Sequence, residues 1–219
     1  RLGINNMYDL AHPNPEIKKR EFGVIGEQLY AMSWGVDRSI IRNKYIPTAK
    51  SYSNSQVLNR DYYDQRQIEI VIREIGEQVA ARIRAHDLRT GRIGLFIGYS
   101  FDSIDLDHPR GGFKVQKKIS PTNDNHDLTT QLIDLFRSKW RGEGVRNIGV
   151  DYGNLSLDTS QQFTLFVKPT LQVKRKTLDK TVDNLRKKYG FSSVVKASSL
   201  LPGATAIKRS KLVGGHNGG

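Results

Sequence analysis

The feature that most constrains this chain is a run of apolar residues at three- and four-residue steps: Ile68, Ile72, Ile75, Val79 and Ile83. That spacing predicts an amphipathic helix over 65–87, because a period near 3.6 brings these side chains onto one stripe. Glu69, Arg73, Glu77 and Arg84 fall on the opposite face. Asp64 is placed to cap the helix, Gln67 follows three residues later as in a capping box, and Gly91 reads as a turn beyond the helix end. An extended polar segment, 51–58, precedes the helix. A short apolar run, 93–99, follows it and suits a buried strand. These make one strand–helix–strand unit.

The next stretch repeats the order. Strand 112–120 is followed by helix 126–140, with Leu128, Leu132, Leu135 and Phe136 as its stripe and Asp124 or Asn125 as its cap, and then by strand 146–155. Strand–helix–strand–strand–helix–strand is the split pattern of an α+β fold, a four-stranded sheet with both helices on one face. The other face stays open. The expected residues there are Tyr52, Asn54, Arg60, Lys114, Lys117 and Lys118, a polar and mostly basic set that suits a phosphate backbone. An ordinary hydrophilic sheet face would read the same way.

Before this domain, 1–46 reads as a small helical piece. Asn14-Pro15-Glu16 is a helix start, Gly23 to Gly26 a turn, and Glu27 to Trp34 a second helix stopped by Gly35. A Gly-x-x-Gly turn between helices exposes backbone N–H groups that can hold a phosphate without reading sequence. After the domain (47–158) come the apolar segment 159–167 and a helical, basic tail, 168–219. Its helix, 171–189, has Leu178, Val182, Leu185 and Tyr189 in register. The last residues, from Ile207, are basic and glycine-rich and are expected to be mobile unless bound.

Charge sharpens this picture. The chain carries 35 Lys and Arg against 22 Asp and Glu, a net +13, and from Lys168 onward 12 basic residues face only Asp179 and Asp183. Such an excess points to a polyanionic partner. There is no cysteine, hence no disulfide or thiolate metal site, and no apolar run approaches a membrane span. No phosphate-binding glycine loop, nucleophile elbow or dinucleotide fingerprint is present. Asp102, Asp105, Asp107 and His108 cluster beside Pro109-Arg110-Gly111-Gly112 and read as a surface turn rather than a Mg²⁺ site. No catalytic or metal-binding residue is expected. The first residues, Arg1-Leu2-Gly3-Ile4, read as a piece cut from a longer protein.

Three stretches resemble the C-terminal part of a Y-family translesion DNA polymerase of the bacterial, UmuC-like, SOS-mutagenesis branch. Leu2-Gly3-Ile4 through Asp9-Leu10-Ala11, Phe22-Gly23-x-x-Gly26 and Gly35-Val36-Asp37 look like the end of its thumb. Lys50-Ser51, Leu58-Asn59-Arg60-Asp61-Tyr62 and the six-element order look like its little finger. Gln162-Phe163-Thr164-Leu165-Phe166 is similar to the peptide by which bacterial polymerases bind the β sliding clamp, with Phe163 in place of the usual Leu. The resemblance implies a region that grips primer–template DNA independently of sequence. Gly23 and Gly26 would touch duplex phosphates, Lys50, Ser51, Arg60 and Lys117 would hold backbone, and Gln162 to Phe166 would tether the chain to the clamp. It also implies a nucleoid-associated, cytoplasmic protein. The palm carboxylates and their Mg²⁺ lie elsewhere in such a polymerase, so this stretch should be inactive alone. SOS accessory proteins or a recombinase filament are further expected partners. The alternatives are a non-catalytic interaction module with a basic tail and, more weakly, an RNA-binding sheet, which Phe96, Tyr99 and Phe113 do not equip with a clustered aromatic platform.

Overall fold

A computed structural model describes residues 2–12, 14–40, 42, 50–103, 111–159 and 168–212. The chain divides into two compact units, Arg1–Pro47 and Thr48–Gly219. In the first, Asn6 caps α1 (Met7–Ala11) by accepting from the Asp9 N–H at 2.9 Å. Asn14 does the same for α2 (Pro15–Phe22) at the Glu16 N–H, with Pro15 in the first turn where its missing N–H costs nothing. Gly23 breaks the run at φ +60°, a backbone conformation that disfavours L side chains, and α3 (Val24–Ser33) begins at once. α3 crosses α2 so closely that a Cβ on Gly26 would overlap the Lys18 carbonyl. Lys18 is itself buried, its Nζ donating to the Leu10 carbonyl and lying 4.5 Å from the Tyr30 ring centre.

In the second unit the elements run β1 (Tyr52–Tyr62), α4 (Gln65–Arg84), β2 (Leu88–Tyr99), β3 (Gly112–Thr122), α5 (Asn125–Lys139), β4 (Val145–Leu157) and α6 (Pro169–Tyr189), with a final turn of helix, α7 (Ala206–Arg209). The sheet is antiparallel throughout, in the order β1-β4-β2-β3. The expected α+β fold is present, but the strands are longer than the sequence reading made them. Gly91 is not a turn: β2 already starts at Leu88, and the chain reverses at Asp87, whose φ is +51°. The capping box is not made either. The Asp64 side chain accepts from the Arg66 N–H, while Gln67 turns to accept from Arg60.

The core lies between one face of the sheet and α4 with α5. Ile68, Ile72, Ile75, Val79 and Ile83 pack with Leu128, Leu132 and Phe136 against Ile93, Leu95, Ile97, Ile148, Val150 and Tyr152, all essentially without exposure. Burying a Leu or Ile side chain contributes about 1.5–3 kcal/mol, so this layer holds the unit together. Tyr152 stitches the layers, its hydroxyl donating to the Gly76 carbonyl at 3.2 Å, and burial raises its pKa above the ordinary tyrosine value.

The residues after β4 close over the helices. α6 docks by charge. Arg84, buried at the end of α4, donates to both carboxylate oxygens of Asp183 (2.6 and 3.1 Å), to the Asn123 carbonyl and to Asn125 Oδ1. Asp179 accepts from the Asn125 N–H and side chain, and Lys176 reaches Asp158 at 2.8 Å. From Gly190 the chain runs back along α4. Lys196 pairs with Glu77, the Tyr62 hydroxyl donates to the Gly203 carbonyl, and Glu74 accepts from the Thr205 and Ala206 N–H groups at the start of α7. Ile207 to Leu212, expected to be mobile, are therefore anchored, with Arg209 donating to Gln56 and Gln78.

Candidate nucleic-acid interface

The face of the sheet turned away from α4 and α5 carries no helix among the described residues. Its composition follows from the period-two alternation of each strand. On β2, Ile93, Leu95 and Ile97 enter the core, so Arg92, Gly94, Phe96 and Gly98 stand on the open side. On β4, Ile148, Val150 and Tyr152 go in, leaving Asn147, Gly149, Asp151 and Gly153 outside. Cross-strand neighbours share a face, which adds Ser53, Ser55 and Val57 on β1 and Lys114, Gln116 and Lys118 on β3.

Along the two central strands each of these open-face pairs contains one glycine: Arg92 with Gly153, Gly94 with Asp151, Phe96 with Gly149, Gly98 with Asn147. The floor is therefore bare backbone. It forms an open depression of about 590 Å³ bordered by Ser51, Ser53, Ser55, Phe96, Lys114, Gln116 and the Arg92–Asp151 pair. The Arg92 guanidinium lies where a Gly153 side chain would be and grips Asp151 at 2.6 Å. Arg92 and Lys118 stand directly opposite one another, two cations that Asp151 only half neutralises. Lys114 adds a third along β3. Phe96 is 39% exposed and rises from the glycine floor, with exposed Val57 as a second apolar side chain on the face. Asn147 Oδ1 has no partner, a carbonyl acceptor beside Gly98. The arrangement fits a ligand whose backbone can approach a flat surface and carries negative charge along one border.

Of the six residues expected on the open face, Lys114 and Lys118 are there. The other four are on the helix side. Tyr52 and Asn54 lie opposite Tyr152 and Val150, and Asn54 donates to Gln78 on α4. Arg60 donates to Gln67 at 2.7 Å and lies 4.7 Å from the Tyr62 ring centre. Lys117 is opposite Ile93, exposed at the outer border of the helix layer. Lys117 and Lys118 cannot share a face in one regular strand, which is the physical error in the sequence reading. Lys50 and Ser51 are exposed just before β1, with Ser51 on the rim of the depression. In the first unit, Gly23 is exposed at the α2–α3 break, while Gly26 is buried against α2. Gln162, Phe163, Thr164, Leu165 and Phe166 lie outside the described residues, as do Asp105, Asp107 and His108; Asp102 sits in a single turn of 3₁₀ helix, Phe101–Ser103. Missed altogether were Arg92, Asp151 and the glycine floor, and Phe96, weighed only as part of an aromatic platform, stands exposed on the open face. Their signal was in the sequence as the alternation of Arg92, Gly94, Phe96 and Gly98 with Ile93, Leu95 and Ile97, and of Gly149, Asp151 and Gly153 with Ile148, Val150 and Tyr152.

A split α+β sheet open on one face, with both crossing helices on the other, is consistent with the little-finger fold of Y-family DNA polymerases. Residues 49–165 match the impB/mucB/samB family C-terminal domain, and the chain belongs to that family. Over 217 residues it is 36% identical to UvrX of Bacillus subtilis (strain 168), whose name refers to UV-damage repair; the match covers 99% of this chain and 50% of that protein. DNA polymerase IV 2 of the same organism is 29% identical over 217 residues, with 99% and 51% covered. DNA polymerase IV of Moorella thermoacetica is 29% identical over 205 residues, with 91% and 48% covered. The chain spans about half the length of these curated relatives. Among the described residues no helix is long and apolar enough to cross a membrane.

Proposed function

We propose that this chain is the DNA-gripping C-terminal region of an error-prone translesion polymerase of the UmuC-like branch, acting in the SOS response at the nucleoid. The observation that carries the reading is the open sheet face: glycine-floored, edged by Lys114 and Lys118, and free of any covering helix among the described residues. A surface of this kind meets a sugar-phosphate backbone through main chain and a few cations, without reading bases. That indifference suits an enzyme whose template is arbitrary and damaged. Exposed Lys50 and Ser51 extend the basic border, and the α2–α3 turn at Gly23 offers a second, smaller backbone contact. Gln162 to Phe166 tether the polymerase to the β clamp, raising its effective concentration at the primer terminus. Two-metal phosphoryl transfer belongs to the palm of the whole polymerase, and this region alone is inactive.

The test is binding to fluorescent primer–template DNA across a salt series, with arbitrary sequences. Lys114→Ala with Lys118→Ala should weaken binding to every sequence alike and flatten the dependence of log affinity on log salt by about two. An unchanged slope would remove the sheet face from the interface.

A further inference from the structure

The helix α6 is docked the wrong way round for an ordinary surface helix. Its inward side is polar: Asp179 and Asp183 go to Asn125 and Arg84, Lys176 to Asp158 and Arg175 to Asp127. None of its residues is buried. Its leucines are left outside, with Leu171, Leu178, Leu185 and Tyr189 at 44, 62, 37 and 62% exposure. The three leucines recur every seven residues, the spacing of a coiled-coil seam, and half-buried Val182 continues the stripe. Lys174 and Lys188 lie three positions beyond Leu171 and Leu185, and Lys180 and Lys187 stand exposed further round. The only carboxylates of α6 are Asp179 and Asp183, and both are spent on the domain. The exposed side chains of α6 thus include its leucines and lysines, with Thr177, Thr181 and Asn184 beside them, and no carboxylate.

We propose that this stripe is a docking surface for an acidic amphipathic helix of a partner protein. Leucine-type side chains at heptad spacing would fill the seam, and Glu or Asp on either side would meet the α6 lysines. The absence of any acidic side chain on the outward face selects this occupant. A second copy of the chain would bring lysine against lysine. Nucleic acid would satisfy the lysines but leave the leucines in water, and it already has the sheet face. Four ion pairs or hydrogen bonds hold the adjoining side of the same helix, so docking on the stripe requires little ordering of the chain.

The probe is a synthetic peptide of the length of α6, with leucine at the seam positions and glutamate flanking them, titrated against this chain by fluorescence anisotropy. A scrambled peptide of equal composition is the control. The ordered peptide should bind and the scrambled one should not. Leu178→Asp with Leu185→Asp should weaken the ordered peptide at least about tenfold, since it removes two seam contacts and adds repulsion. Leu178→Ser with Leu185→Ser should act in the same direction, with thermal unfolding and primer–template affinity unchanged in both variants. The proposal is overturned by equal binding of the two peptides, by indifference to both variants, or by no binding at all. Binding to vesicles of anionic phospholipid that the leucine variants abolish, or a concentration-dependent dimer that they dissolve, would equally overturn it in favour of a membrane or a self-interface.

Discussion

At the scale of single residues, Asp151 is the side chain that most limits the open face. It holds Arg92 at 2.6 Å and places a carboxylate on a surface read as an anion-binding one. Asp151→Asn should release Arg92 and remove that repulsion. Primer–template affinity should rise about threefold to tenfold, and the salt slope should steepen by about one. A loss of affinity would mean that Asp151 positions Arg92 rather than restrains it. Gly94 tests the floor instead of the charge. A Cβ there would meet nothing nearer than 3.4 Å, so Gly94→Ala is tolerated in β2 and should leave the melting temperature nearly unchanged. It should nonetheless lower DNA affinity by raising the floor, which equilibrium binding with the salt held constant would register.

At the scale of elements, the attachment of α6 rests on a few buried charges. Arg84 is buried and makes four hydrogen bonds, two of them to Asp183. Arg84→Ala leaves Asp183 and Asp179 facing the domain without their cation and should cost about 3 kcal/mol in urea unfolding, with α6 the first element to lose amide-exchange protection. Acid should act at Asp158. Burial alone would raise its pKa, but hydrogen bonds from Lys176 and Asn123 and the charges of Lys176 and Arg89 outweigh this and hold it below the ordinary 3.8. A lowered carboxylate stabilises the fold fully above the unfolded-state value and loses that contribution as the pH falls through the folded one. Asp179 is shifted upward, by burial first and by Asp124 in addition, and so has the opposite sign. Asp158→Asn should accordingly be less stable than the natural chain at neutral pH. The difference should close as the pH is lowered through the carboxylate range, a comparison that urea midpoints across pH would make.

At the scale of the whole molecule, two functions are separable. On the proposed reading, the sheet face and the net charge of +13 would set the grip on DNA, and Gln162 to Phe166 the tether. Leu165→Ala with Phe166→Ala should abolish association with the β clamp and leave primer–template binding and its salt slope unchanged. Loss of both together would show that the segment serves the fold instead of a partner. The relatives are about twice as long, so in the whole polymerase proposed above the same pair of measurements should show clamp stimulation lost and basal DNA affinity kept.

The sequence by itself determined the six-element order, the two helical stripes, the Asn14 and Asp64 caps, the α5 cap to Asp124 or Asn125, and the basic excess, because each depends on neighbours within a few residues. It also carried the family resemblance through Lys50-Ser51 and the Leu58 to Tyr62 stretch. Strand parity was legible too, in Ile93, Leu95 and Ile97, although Tyr52, Asn54, Arg60 and Lys117 were read onto the wrong face. The tertiary structure alone decided that β4 and β2 form the centre of the sheet, that their glycines line up into one bare floor, and that α6 turns its charges inward. Those outcomes depend on partners far apart in the chain, Arg84 with Asp183 and Arg92 with Asp151 among them. No local period encodes which distant charge a side chain will meet.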